Sequence, residues 1–166
     1  GFTPGSLSLF AGGSGSGKSL FLQNIALNWA FMGMNVVYIS LELSEDLVNQ
    51  RLDAMVTGKT TPYVFSHATE TAISVGIAAK QNPPGDLRVK KLPEAGTTSN
   101  TIRAYLKEYQ IQTGLKPDAL IIDYLDLMHP NSGSIDISNM FTKDKYVSEE
   151  LRAIGSEYGI PVVSAS

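Results

Sequence analysis

Short apolar runs alternate along this chain with longer segments whose apolar residues recur every three or four positions. Leu7-Ser8-Leu9-Phe10-Ala11, Asn35 to Leu41, Leu87 to Leu92, Ala119 to Leu125 and Ile160 to Ser166 have the length, β-branched content and turn-rich flanks of strands, and the first reads as a short buried one. Between them the spacing predicts helices. Ser19 to Met32 has helical composition without Pro or Gly. Ser44-Glu45-Asp46 opens a helix that places Leu47, Val48, Leu52 and Met55 on one face and stops at Gly58. Ser66 to Lys80 is helical by composition, and Asn82-Pro83-Pro84-Gly85-Asp86 is a turn cluster. Thr97-Thr98-Ser99 can cap a helix whose Ile102, Tyr105, Leu106 and Tyr109 form a stripe ending at Gly114. His129 to Met140 is polar and glycine-containing and reads as a loop. A last helix, Lys143 to Tyr158, carries Val147, Leu151, Ile154 and Tyr158 on one side. Repeated strand–helix units with continuous apolar strands predict an α/β fold, a mostly parallel sheet with helices on both faces.

Composition narrows the classes. With 43% hydrophobic and 17% charged residues in 166, the chain is expected to be one globular domain spanning 1–166. The lack of cysteine excludes a disulfide framework or thiolate metal site and fits a reducing compartment, with the cytoplasm as the default. No apolar run approaches the roughly 18 residues of a membrane span, since Ile25 to Met34 is broken by Asn28 and Gly33. A net charge of −3 argues against a broad nucleic-acid-binding face. The one basic cluster, Arg88-Val89-Lys90-Lys91, reads as solvated charges at a strand end, with a nucleic-acid contact as the alternative. Gly1-Phe2-Thr3-Pro4-Gly5 has neither an initiator Met nor the order of a signal peptide, so the chain is expected to start inside a longer protein.

Candidate chemistry centres on Gly12-Gly13-Ser14-Gly15-Ser16-Gly17-Lys18-Ser19, a full match to the phosphate-cradling pattern G-x-x-x-x-G-K-[ST] between an apolar strand and a helix. Phosphate oxygens must approach several backbone N–H groups at once, so the loop needs residues that accept positive φ and carry no obstructing side chain; Gly13, Gly15 and Gly17 supply that. The helix start aims unsatisfied N–H groups at the anion, Lys18 reaches the β- and γ-phosphates, and the Ser19 hydroxyl can ligate Mg²⁺. The expected ligand is ATP or another nucleoside triphosphate with Mg²⁺.

Two carboxylates stand where such a ligand would lie. Asp123 follows Leu120-Ile121-Ile122 at the carboxyl end of a strand, the edge where ligands bind in open α/β sheets. It is either a turn aspartate or, with Ser19, the residue that holds Mg²⁺ through water; the apolar run before it and the glycine loop favour the metal. Glu42, just past the strand ending at Leu41, is either a solvated residue before a helix or the group that polarises an attacking water. Glu45 and Asp46 fit the first helical turn and its dipole.

Together Gly12 to Ser19, Ile39-Ser40-Leu41-Glu42-Leu43-Ser44 with Leu47 and Arg51, Ile122-Asp123-Tyr124-Leu125-Asp126-Leu127-Met128, Leu151-Arg152-Ala153-Ile154 and Ile160 to Ser166 resemble the ATPase core of hexameric DnaB-type replicative helicases. The segment from Gly58 to Thr97 and the surroundings of Lys116-Pro117-Asp118 look closer to the phage T4 type than to the bacterial proteins. The resemblance implies a RecA-like P-loop NTPase fold, a homo-hexamer with nucleotide between subunits, translocation on single-stranded DNA, and a possible primase partner. Lys18 and Ser19 match its phosphate and Mg²⁺ residues, Glu42 its catalytic glutamate and Asp123 its metal-associated aspartate, while Arg51 matches a recurrent arginine to which no role is attached. The γ-phosphate-sensing Gln, the DNA-binding loops and the arginine finger of the family would follow Ser166, so the core is expected to be incomplete at its C-terminus. It further implies that the last strand lies between the strand of the glycine loop and that of Asp123, which leaves the former at the sheet edge. A recombinase or clock-type relative that uses nucleotide as an assembly switch is the alternative. A small-molecule kinase fits less well, because His129 to Met140 contains no Arg for a lid.

Overall fold

A computed structural model describes residues 2–12, 17–131 and 139–166. The elements run β1 (Leu7–Phe10), α1 (Lys18–Phe31), β2 (Val36–Ser40), α2 (Glu45–Thr57), α3 (Thr61–Ser66), α4 (Ala68–Gln81), β3 (Leu87–Lys91), α5 (Ser99–Thr113), β4 (Ala119–Asp123), a 3₁₀ turn at Leu125–Leu127, α6 (Met140–Tyr158) and β5 (Val162–Ala165). The five strands form one sheet in the order β1-β5-β4-β2-β3, every pairing parallel. Parallel neighbours need crossovers, and the helices supply them on both faces.

Strand alternation decides what each face buries. Val36 and Tyr38 of β2 and Ala119 and Ile121 of β4 point to the side of α1 and α2, where Leu22, Ala26, Val48 and Leu52 meet them. Val37, Ile39, Leu120 and Ile122 point to the other side, against Ile102, Leu106 and Tyr109 of α5 and Val147, Leu151 and Ile154 of α6. The stripes read on α5 and α6 are thus faces that pack on the sheet, and of the α2 stripe Val48, Leu52 and Met55 do so while Leu47 stands outside the core.

Local signals set several boundaries. The Ser44 side chain accepts from Leu47 N at 3.2 Å to cap α2, and Gly58 closes that helix at φ 71°. Thr98 and Thr101 form a reciprocal capping box at α5. Helix α3 is not in the sequence reading, although Thr60 caps it and Pro62 sits in its first turn. His67 separates it from α4, so the helix expected from Ser66 begins at Ala68. Strand β4 ends at Asp123 rather than Leu125, because the chain turns there into the 3₁₀ segment. The last helix starts at Met140, one turn before Lys143.

The first strand departs from its expected burial. Among the described residues it pairs only with β5, and Leu9 is 45% exposed, because an edge strand has a neighbour on one side alone. The sheet order is the one that the helicase resemblance implied. The basic cluster lies on β3 at the opposite edge, and its charges are used within the fold: Arg88 pairs with Asp86 at 3.6 Å, and Lys91 Nζ donates to the carbonyls of Leu41 and Leu92 at 2.7 and 2.9 Å. Among the described residues no helix is long and apolar enough to cross a membrane.

Candidate functional site

Five elements, β1, β5, β4, β2 and α1, deliver their ends to one point at the carboxyl edge of the sheet. Strand β1 leads to Gly12, whose N–H donates to the Ser166 carbonyl at 3.1 Å and so ties the approach of the glycine loop to the end of β5. Gly13, Ser14, Gly15 and Ser16 lie outside the described residues. Gly17 takes φ 81° immediately before α1, a left-handed conformation that a Cβ would strain. Lys18 and Ser19 form the first turn of α1, where N–H groups have no intrahelical acceptor.

Asp123 ends β4 beside Ser40, its register partner on β2, and faces α1. It is only 2% exposed. One oxygen, Oδ1, accepts from Ser19 Oγ at 3.0 Å, and the other, Oδ2, accepts from Tyr38 Oη at 2.5 Å. Burial pushes the Asp123 carboxyl above the ordinary range, opposed by these two bonds and by the nearby charges of Arg51 and Lys18. The Tyr38 phenol is driven well above the usual tyrosine range, by burial first and then by Asp123.

Glu42 follows β2 on a turn held from both sides. Leu41 N donates to the Asp123 carbonyl at 2.9 Å, Lys91 Nζ donates to the Leu41 carbonyl, and Ser40 Oγ bonds to both the carbonyl and the N–H of Leu43. Glu45, read as a helix-dipole residue, also accepts from Lys91 N at 3.0 Å. The backbone on either side of Glu42 is therefore fixed while its side chain stays exposed.

A cavity of about 570 Å³ opens between these ends, lined by Gly12, Gly17, Lys18, Ser19, Glu42, Arg51, Tyr124, Asp126 and Ser166 among others. That volume falls in the range of small-molecule and cofactor sites. Lys18 Nζ lies 4.2 Å from the centroid of the Tyr124 ring, a cation–π contact worth about 0.5–1 kcal/mol at exposed sites and weaker than a charge-assisted bond to phosphate. The structure thus brings Lys18, Ser19, Glu42 and Asp123 together, Asp123 behind the wall through its bond to Ser19. Arg51 joins them from α2. The sequence reading does not single out Tyr38, Tyr124 or Asp126 for the site. A phenol inside an otherwise aliphatic strand is the available signal for Tyr38, but its target depends on the pairing of β2 with β4.

The donor set suits Mg²⁺, which binds through one or two protein oxygens plus phosphates and water. Ser19 and Asp123 present hard oxygens 3.0 Å apart, and among the described residues no Lys or Arg is bonded to the buried Asp123. Among those residues no cluster of three or more His, Asp or Glu side chains is placed to hold a metal ion.

Comparison with known proteins follows the same line. Residues 1–166 match the family described as DnaB-like helicase C terminal domain. The DnaB-like replicative helicase of Enterobacteria phage T4 is 31% identical over 156 residues, covering 92% of this chain and 33% of that protein. The solved structure of a DnaB-like replicative helicase and its interactions with primase superposes with a TM-score of 0.80 at 19% identity, over 100% of this chain and 39% of that one. A second solved structure, of an ATPase domain, gives a TM-score of 0.78 at 20% identity, over 100% of this chain and 58% of that one. These two likenesses show the RecA-like fold. The chain spans about a third of the length of its T4 relative. With its full length matched by one family and its sheet arranged as in the solved relatives, the chain belongs to the DnaB-like helicase C-terminal domain family.

Proposed function

We propose that this chain is the nucleotide-binding and hydrolysing motor core of a replicative DNA helicase that translocates on single-stranded DNA. The observation that carries the reading is the convergence of Lys18, Ser19, Glu42 and the Ser19-bonded Asp123 on one cavity at the end of a parallel sheet. The loop from Gly12 to Ser19 holds the triphosphate of ATP or another NTP. Lys18 places its ammonium on the β- and γ-phosphates, and Ser19 and Asp123 hold Mg²⁺, Asp123 through water. The ion, when bound, neutralises charge that develops on the phosphoryl oxygens. Glu42 accepts a proton from, and so polarises, the water that attacks the γ-phosphate. Its clamped backbone and free carboxylate suit that role better than a purely structural one.

The remaining parts of the machine belong to the longer protein and its neighbours. The domain contributes one face of a site completed by an adjacent subunit of a homo-hexamer, in the cytoplasm of a bacterium or a phage-infected host. Single-stranded DNA is gripped mainly by regions outside this segment. A primase is a further partner, in keeping with the solved relative studied with one. An arginine finger supplied in trans is typically worth about 10³–10⁵ in rate. The 166-residue chain is therefore expected to bind nucleotide and to hydrolyse it slowly.

Glu42→Gln tests the assignment. In the full-length protein, ATP affinity should stay within about twofold while hydrolysis falls by about 10²-fold or more, the scale of a lost general base. A Glu42→Gln protein that hydrolyses ATP at the parent rate would sink the catalytic role. Lys18→Ala should instead abolish nucleotide binding by the chain, read by calorimetry.

A further inference from the structure

The Tyr38–Asp123 contact joins the middle of β2 to the end of β4 across 85 residues of sequence. Register explains how. Tyr38 lies opposite Ile121, so its side chain and that of Asp123, two residues on, share the sheet face toward α1, and the long phenol reaches diagonally to the carboxylate. The ring is fully buried beside Leu22, Val48 and Ile121. Gln23, one turn beyond Ser19 on α1 and also 0% exposed, lies near the phenol, and among the described residues neither end of its amide has a hydrogen-bond partner. A polar row, Gln23, Tyr38, Asp123 and Ser19, therefore runs from the core to the cavity wall.

An aspartate carboxylate turns broadly about its last torsion, and its two oxygens are equivalent until something distinguishes them. Here Oδ2 is taken by a donor on an interior strand of the sheet, and Oδ1 is left toward Ser19. We infer that Tyr38 is a positioning residue for the cation site, one that holds Asp123 by one oxygen so that the other faces the Ser19 hydroxyl. It touches neither nucleotide nor ion. The inference rests on the proposed Ser19–Asp123 role. Groups that orient a ligand or its carboxylate typically matter by about 10–100-fold in metal affinity.

Tyr38→Phe removes one oxygen and keeps the ring. Binding of a fluorescent ATP analogue to the chain is measured in EDTA and across a Mg²⁺ titration. The affinity in EDTA should stay within about twofold of the parent, and the half-saturating Mg²⁺ concentration should rise about tenfold or more. Leu52→Ala, a packing change in the same cluster, should lower the melting temperature and leave the Mg²⁺ requirement where it was. An unchanged Mg²⁺ requirement in Tyr38→Phe, with the parent responding to Mg²⁺, overturns the inference alone. A parent chain that binds nucleotide with no response to Mg²⁺ overturns the site reading as well. If Tyr38→Phe does not fold, the parent answers: its buried Tyr38 hydroxyl proton should give a downfield NMR signal that moves when Mg²⁺ is added to the nucleotide complex, and a signal indifferent to Mg²⁺ refutes the role.

Discussion

Lys91 shows how a residue outside the cavity can serve it. Its ammonium donates to the Leu41 carbonyl, the peptide that leads into Glu42, and to its own neighbour Leu92, while its backbone N–H is taken by Glu45. Hydrogen bonds from charged donors contribute about 1.5–3 kcal/mol each when well formed. Lys91→Met keeps the apolar stem and loses the donors. Stability should fall by about 1–3 kcal/mol, and hydrolysis by the full-length protein should fall further than nucleotide affinity, because the clamp under Glu42 loosens while the glycine loop is untouched. Equal losses in affinity and rate would show that Lys91 supports the fold alone. The four-residue run Arg88-Val89-Lys90-Lys91 reads in the sequence as solvated charge; which of its lysines turns inward depends on where α2 and β2 end.

At the scale of elements, most of what the hydrophobic pattern predicts is present, and the exceptions have physical causes. The stripes of α5 and α6 are legible because each needs only its own 3.6-residue period. Helix α3 escapes because six residues carry too little periodicity to stand out, and its cap and proline are local cues rather than a pattern. Strand β1 reads as buried because an apolar run says nothing of whether the sheet continues beyond it. The cap of α2 gives a direct test at this scale. Ser44→Ala removes the bond to Leu47 N and should cost about 0.5–2 kcal/mol. For a domain of this size that is a fall of about 2–4 °C in Tm per kcal/mol, read by a thermal melt. Because α2 also carries Arg51 to the cavity, a shift in nucleotide affinity with no loss of stability would point to a different role for Ser44.

The whole molecule adds a pH dependence. Two phenols, Tyr38 and Tyr109, are pushed up by burial first and then by their carboxylate partners Asp123 and Asp86. In the unfolded chain tyrosines ionise near pH ~10, whereas these two keep their protons in the fold. Above that pH the unfolded state binds fewer protons than the native state, so stability is full below pH ~10 and falls as the pH rises beyond it. Tyrosinate absorbance should accordingly appear for the exposed tyrosines first and for Tyr38 and Tyr109 only as the chain unfolds. All seven tyrosines ionising together before any loss of structure would contradict the buried Tyr38–Asp123 pair.

Through its residue types and spacings the sequence by itself determined the glycine-rich motif from Gly12 to Ser19, the α/β alternation and the carboxylates at two strand ends, because a motif's residue types and hydrophobic periodicity act over a few neighbouring residues. Only the tertiary structure decided that Ser19 meets Asp123 across 104 residues, that Tyr38 holds the other carboxylate oxygen, and that Lys91 clamps the turn of Glu42. Those contacts follow from parallel pairing and register, in which β2 and β4 become neighbours though α2 through α5 separate them in the chain. Local propensity carries no information about which strands will lie side by side. Burial of both faces of the sheet sets that order, and with it the site.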